Sequence, residues 1–76
     1  MSVQPETQTI TVNGEEREIP IGYELTELMR SLDLDPVHAS GTAIAVNEEV
    51  IPRKQWEDVA LEAGDTVEIV QAQQGG

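Results

Sequence analysis

Asn13-Gly14 stands between two strand-like runs, Thr7 to Val12 and Glu15 to Ile19, and this dipeptide restricts the chain more than any other feature. A two-residue hairpin loop of type I′ needs positive φ at both central positions. Asparagine tolerates that, glycine adopts it freely, and the twist of such a loop matches the strands it joins. The N-terminal segment is therefore read as an antiparallel β-hairpin. In its first strand Ile10 and Val12 alternate with Thr9 and Thr11, so one face is apolar and the other polar.

Pro20 and Gly22 end this hairpin, and Leu25, Leu28, Met29 and Leu32 follow at i, i+3, i+4 and i+7, the spacing of one buried stripe on an amphipathic helix. Its capping is poor. Glu24 stands where Ser, Thr or Asp would be preferred, although an acid near the positive helix end compensates in part. Asp35-Pro36 is expected to close the helical region, because a residue before proline is pushed out of the α conformation. After a polar connection, Ala43 to Val46 reads as a strand with Ile44 and Val46 inward and the small Ala43 and Ala45 outward. Asn47-Glu48 marks a turn, and Glu49 to Pro52 is a short return strand that Pro52 restricts to an edge or an end. Arg53 to Leu61 has Trp56, Val59 and Ala60 at helix-like spacing. Glu62 to Asp65 is a turn, and Thr66 to Gln71 is the last strand. Two hairpins flanking one helix, with a final strand inserted between them, describe an α+β roll: a mixed sheet of four to five strands with the helix over one face.

With 76 residues the chain is expected to form one domain, residues 1–76, small enough to bury only about 60% of the surface that its unfolded form exposes. Tyr23 and Trp56 are its only aromatic residues and it has no Phe, so Val, Ile, Leu and Met must fill the core. Trp56 is expected in the core or at its rim. The absence of cysteine excludes disulfides, thiolate catalysis and thiolate metal sites. No apolar run approaches the length of a membrane span, the first residues lack the pattern of a signal peptide, and a cytoplasmic location is the expectation. Against 15 Asp and Glu stand 4 Lys and Arg, a net charge of −11. Such a field repels polyphosphate, so nucleic acid is not expected as a partner; it suits solubility, high salt, or steering toward a basic protein surface.

The C-terminus carries the functional signal. Gly75 and Gly76 follow soon after the last strand. Two glycines make a thin, pliable peptide that could enter another protein's active site, and the reactive group would be the Gly76 carboxylate, an anion near neutral pH. A frayed end with no role is the competing account. Along the last strand, Val67 and Ile69 inward would leave Glu68 and Val70 outward. An exposed Val70 beside Ala45 would make a small apolar patch, a candidate docking surface near the tail.

The stretch AVNEEVIPRKQWEDVALEAGDTVEIVQAQQGG, Ala45 to Gly76, resembles the ThiS family of sulfur carriers in thiamine biosynthesis, which are ubiquitin-like β-grasp proteins. The specific parts are Val46-Asn47, Ile51-Pro52-Arg53 followed by Trp56, Gly64-Asp65, and Gln74-Gly75-Gly76. In the N-terminal half Gly22 to Leu32 is similar to the family's helix entry, with Glu24 where the family often has threonine. Residues 1–8 look like an N-terminal extension, a candidate for disorder, and residues 72–76 like a flexible tail.

This resemblance implies a protein cosubstrate with no active site and no bound cofactor. The Gly76 carboxylate would attack the α-phosphate of ATP in a partner adenylyltransferase related to ubiquitin-activating enzymes (ThiF or MoeB type), with Gln74 and Gly75 read by that partner. Sulfur from a persulfide donor would displace AMP and leave a thiocarboxylate for a thiazole synthase (ThiG type). Two alternatives remain open at this point: a sulfur carrier for another pathway, such as the small subunit of molybdopterin synthase or a tRNA-thiolation carrier, and a protein modifier conjugated through Gly76.

Residues that could suggest catalysis within the chain have simpler readings. His38, the sole histidine, lacks the convergent partners that a catalytic site needs. Asp33 and Asp35 lack the glycine and distal glutamate of a calcium loop and read as helix-end and turn residues. Glu15-Glu16, Glu48-Glu49 and Glu57-Asp58 read as solvated charge. Arg53 is expected to touch a partner or to pair with a neighbouring acid.

Overall fold

The structure is a computed structural model that describes residues 6–38 and 40–72. Five strands form one sheet: β1 (Thr7–Val12), β2 (Glu15–Pro20), β3 (Thr42–Val46), β4 (Glu49–Val50) and β5 (Thr66–Gln71), in the order β2-β1-β5-β3-β4. β5 runs parallel to β1 and antiparallel to β3, and the two hairpins are antiparallel. The final strand thus enters between the hairpins, as the sequence leads one to expect. The sheet begins at Thr7, so residues 7 and 8 of the expected extension belong to β1, opposite Pro20 and Ile19. Residues 1–5 of that extension lie outside the described residues.

Both hairpins turn on two residues with positive φ. Asn13 and Gly14 have φ 49° and 85°, and Asn47 and Glu48 have φ 53° and 69°, the left-handed values that a type I′ loop requires. Each asparagine also continues the sheet with its side chain. Asn13 accepts a bond from the Ile69 N–H at 2.8 Å and donates to the Ile69 carbonyl at 3.2 Å, while Asn47 accepts from the Thr66 N–H at 3.0 Å and donates to Asp65 Oδ1 at 3.0 Å. The two turns are therefore tied to β5 or its entry, and β5 is held on both flanks.

The helix, α1 (Leu25–Ser31), has seven residues, too few to be stable alone in water. Packing supplies what propensity does not: Leu25, Leu28 and Met29 are fully buried against Ile10, Val12, Ile44 and Val67 of the sheet, each such side chain contributing about 1.5–3 kcal/mol relative to exposure. Glu24 makes no capping bond with its side chain. In its place the backbone N–H of Leu25 donates to the Val59 carbonyl at 3.0 Å and that of Leu61 to the Tyr23 carbonyl at 2.9 Å, so the helix entry is pinned by a distant segment.

The helix ends earlier than Asp35-Pro36 suggests. Asp33 adopts φ 63°, and the N–H groups of Asp33 and Leu34 donate to the carbonyls of Arg30 and Met29 at 3.1 and 2.8 Å. This is a Schellman closure, in which the left-handed residue turns the chain back over the last open carbonyls; asparagine and aspartate are the side-chain-bearing residues that best tolerate it. Proline only forbids helix at the residue before it, and the chain had already turned.

The segment Arg53–Asp58 is a 3-10 helix. Trp56 within it is 2% exposed and donates its indole N–H to the Ile51 carbonyl at 3.0 Å, closing one end of the core.

Candidate functional site

β5 delivers the chain to its C-terminus from the middle of the sheet. It pairs with the whole of β3, from Val46↔Val67 to Thr42↔Gln71, and the pairing continues one residue further: the Ala72 N–H donates to the Gly41 carbonyl at 2.7 Å. Gly41 has φ 77°, and a Cβ there would lie 3.6 Å from the Ala72 Cβ. Ala72, expected as the first residue of the tail, is thus held against the connection before β3. Gln74, Gly75 and Gly76, the residues expected to be recognised and to carry the chemistry, lie outside the described residues.

The sheet face opposite α1 is open. Because cross-strand partners point to the same side, the register places Ala43 with Val70, Ala45 with Glu68, and Ala45 with Val50 on that face. Val70 is 61% exposed and Val50 70%, so the outward direction expected for Val70 is observed. One detail is corrected. Ala45 is not the direct neighbour of Val70, which faces Ala43; it lies diagonally, between Glu68 and Val50. The antiparallel register, set by the β3–β4 turn and by Val67 and Ile69 turning inward, decides this. The apolar patch is therefore larger than the sequence suggested, because Val50 and Ala43 join it. Alternation in Glu49-Val50-Ile51, whose Ile51 is half-buried, was the available signal for Val50. Toward the other side of the sheet the face turns polar and acidic, with Thr9 opposite Glu18 and Thr11 opposite Glu16.

Other singled-out residues separate from this surface. His38 Nδ1 lies 2.7 Å from Asp35 Oδ2, and both residues are exposed. The hydrogen bond from His38, then the Val37 backbone N–H, holds the Asp35 carboxyl below its ordinary value. Asp33 serves the helix end. Glu15, Glu16, Glu48, Glu49, Glu57 and Asp58 are exposed, and among the described residues no cluster of His, Cys, Asp or Glu could hold a metal ion. Of the two expectations for Arg53, pairing with a neighbouring acid is not observed: it forms no ion pair among the described residues but donates to the Val37 carbonyl at 2.6 Å, with its guanidinium 5.9 Å from the Trp56 ring centre. The rigid 3-10 turn aims it across the connection after α1 and away from the acids nearby in sequence. Among the described residues no helix is long and apolar enough to cross a membrane.

Comparison with known proteins places this architecture. The profile of the ThiS family matches residues 10–76. The sulfur carrier protein ThiS of Escherichia coli (strain K12) is 30% identical over 67 residues, which are 88% of this chain and 97% of that protein. The crystal structure of the thiamine biosynthesis protein ThiS from Geobacter metallireducens superposes with a TM-score of 0.74 at 27% identity, covering 91% of this chain and 100% of that one. Its solution structure gives 0.73 at the same identity, covering 91% and 88%. The five-stranded mixed sheet on one helix is thus a ubiquitin-like β-grasp, and the chain belongs to the ThiS family.

Proposed function

We propose that this protein is the sulfur carrier of thiamine biosynthesis and that Gly76 is its reactive residue. The observation that carries this reading is a family match that runs through Gln74-Gly75-Gly76 to the last residue. A carboxylate is a poor acyl donor until one oxygen becomes part of a good leaving group. Attack of the Gly76 carboxylate on the α-phosphate of ATP forms an acyl-adenylate and releases diphosphate. The terminal sulfur of a persulfide then attacks the acyl carbon and expels AMP, and a second thiol cleaves the resulting S–S bond to leave the thiocarboxylate. That sulfur passes to the thiazole ring.

Spreading charge over the phosphates requires cationic groups at the reacting centre. The carrier would obtain them from a partner adenylyltransferase related to ubiquitin-activating enzymes, which binds the ATP, so the chain acts as a cosubstrate and a thiazole synthase is the acceptor. Four residues beyond Ala72 have a contour length of roughly 13–14 Å, enough to enter a deep nucleotide site, and the absence of Cβ at Gly75 and Gly76 suits a narrow channel. The open face with Ala45 and Val70, joined by Ala43 and Val50, supports docking to the adenylyltransferase. Its acidic flank suits a basic partner surface, which would raise the encounter rate. A cytoplasmic location accords with this chemistry.

Intact mass after incubation with the cognate adenylyltransferase, ATP and a sulfur donor tests the proposal: exchange of oxygen for sulfur adds about 16 Da. Deletion of Gly76 abolishes the gain without altering thermal stability, because a chain end contributes almost nothing to folding. Higher-mass conjugates through lysine, with no such gain, would overturn the carrier reading in favour of a protein modifier.

A further inference from the structure

The chain has only four basic side chains, Arg17, Arg30, Arg53 and Lys54, and three of them line one cavity. This cavity, of about 350 Å³, opens on the helix side of the molecule, between α1, the connection at Pro36-Val37 and the 3-10 helix. Arg30 comes from the last turn of α1, and Arg53 and Lys54 from the first residues of the 3-10 helix. In a molecule of net charge −11 such clustering needs a cause, and internal pairing does not supply one. Among the described residues none of the three forms an ion pair, although Glu57 lines the same cavity.

The site is also built. Arg53 is oriented by its bond to the Val37 carbonyl and by the Trp56 ring. Guanidinium presents five N–H donors and accepts none, so this one bond leaves donors for a ligand while fixing the direction of the group. Buried Thr26 lies at the cavity wall and Trp56 is anchored through its own indole bond, so two of the lining residues are held by the core. A planar guanidinium fork suits a phosphate group, and a lysine ammonium adds a point charge. The volume falls within the range of small-molecule sites. An extended acidic segment of a protein would bring its charges along the acidic surface outside the cavity as well, whereas a compact anion meets three cations against one lining acid, Glu57.

We propose that this cavity is a binding site for a small phosphate-bearing anion, with Arg30, Arg53 and Lys54 as its ligands and Trp56 as its rigid wall. The site is on the opposite side of the sheet from the Val70 patch, and it does not rest on the carrier reading; its failure would leave the mass test of Gly76 untouched.

The test is titration of the full ¹⁵N-labelled chain with inorganic diphosphate at constant ionic strength, which removes bulk screening as a cause. The expected result is saturable shifts at the Thr26, Arg53 and Lys54 amides and the Trp56 indole N–H, and at least a tenfold weaker dissociation constant in the R30Q/K54Q double variant. Both side chains are exposed, so that variant keeps its fold, which its unshifted remaining resonances verify. Absence of saturation up to about 10 mM diphosphate, equal affinity in the double variant, or saturable binding of a glutamate-rich peptide where diphosphate has none would each overturn the proposal. The last outcome would assign the cavity to a protein partner.

Discussion

The two faces of the sheet are made by alternate residues of the same strands, and they do different things. On the side of α1, Ile10, Val12, Ile44 and Val67 are buried with Leu25, Leu28 and Met29. On the other side Ala43, Val50 and Val70 are exposed next to a run of threonine and glutamate. A 76-residue chain has enough apolar side chains to cover one face. The open face is free of the packing constraint, so its apolar residues can serve contact with another molecule without serving the fold. Stability and docking should then be separable by mutations only one residue apart in a strand.

The largest effect is expected from the covered face. Ile44→Ala should lower unfolding free energy by about 2–5 kcal/mol, the cost of lost burial plus a cavity, measured by chemical denaturation; a loss comparable to that of a surface change would break the contrast. On the open face, Val70→Lys should leave stability within about 0.5 kcal/mol. If the open face docks the proposed adenylyltransferase, it should also raise that enzyme's apparent KM for the carrier by about tenfold, because it would remove an apolar contact and oppose a basic surface. Unchanged kinetics would remove Val70 from the docking surface.

A smaller change concerns the turn that carries Val50 onto the open face. Glu48 holds φ 69°, a conformation that costs a residue with a Cβ about 1–2 kcal/mol, partly offset by the greater freedom of unfolded glycine. Glu48→Gly should therefore stabilise by about 0.5 kcal/mol with docking kinetics unaltered, as thermal denaturation and the same assay would record. The smallest effect lies away from both faces. Because His38 holds the Asp35 carboxyl below its ordinary 3.8, the contribution of that contact is fully present above this value and is lost as pH falls through the lowered one. His38→Ala should raise the Asp35 titration toward its ordinary range in an NMR experiment, the Val37 N–H retaining part of the lowering, and flatten that part of the acid limb.

Much of the fold is legible in the residues. Asn13-Gly14 marks the first hairpin, the Leu25, Leu28 and Met29 spacing marks the helix, and the threonine alternation in β1 names the inner face, because turn and periodicity signals are local. The Schellman closure at Asp33 was hidden because aspartate at a left-handed position has no sequence mark comparable to glycine. Val50 was legible only weakly, from the alternation of Glu49, Val50 and the half-buried Ile51, because β4 itself has just two residues. The cluster of Arg30, Arg53 and Lys54 was invisible for a different reason: Arg30 is far in sequence from the other two, and only the packing of α1 beside the 3-10 helix brings them together.

What the chain determined on its own was therefore the set of elements, the direction each presents to the core, and the diglycine end, since these depend on interactions a few residues apart. Tertiary structure decided which residues become neighbours across strands and between helices, including Ala43 beside Val70, the Asn13 and Asn47 side chains clasping β5, and the cationic cavity. Register and packing are collective, and no single segment contains the information until the others are in place.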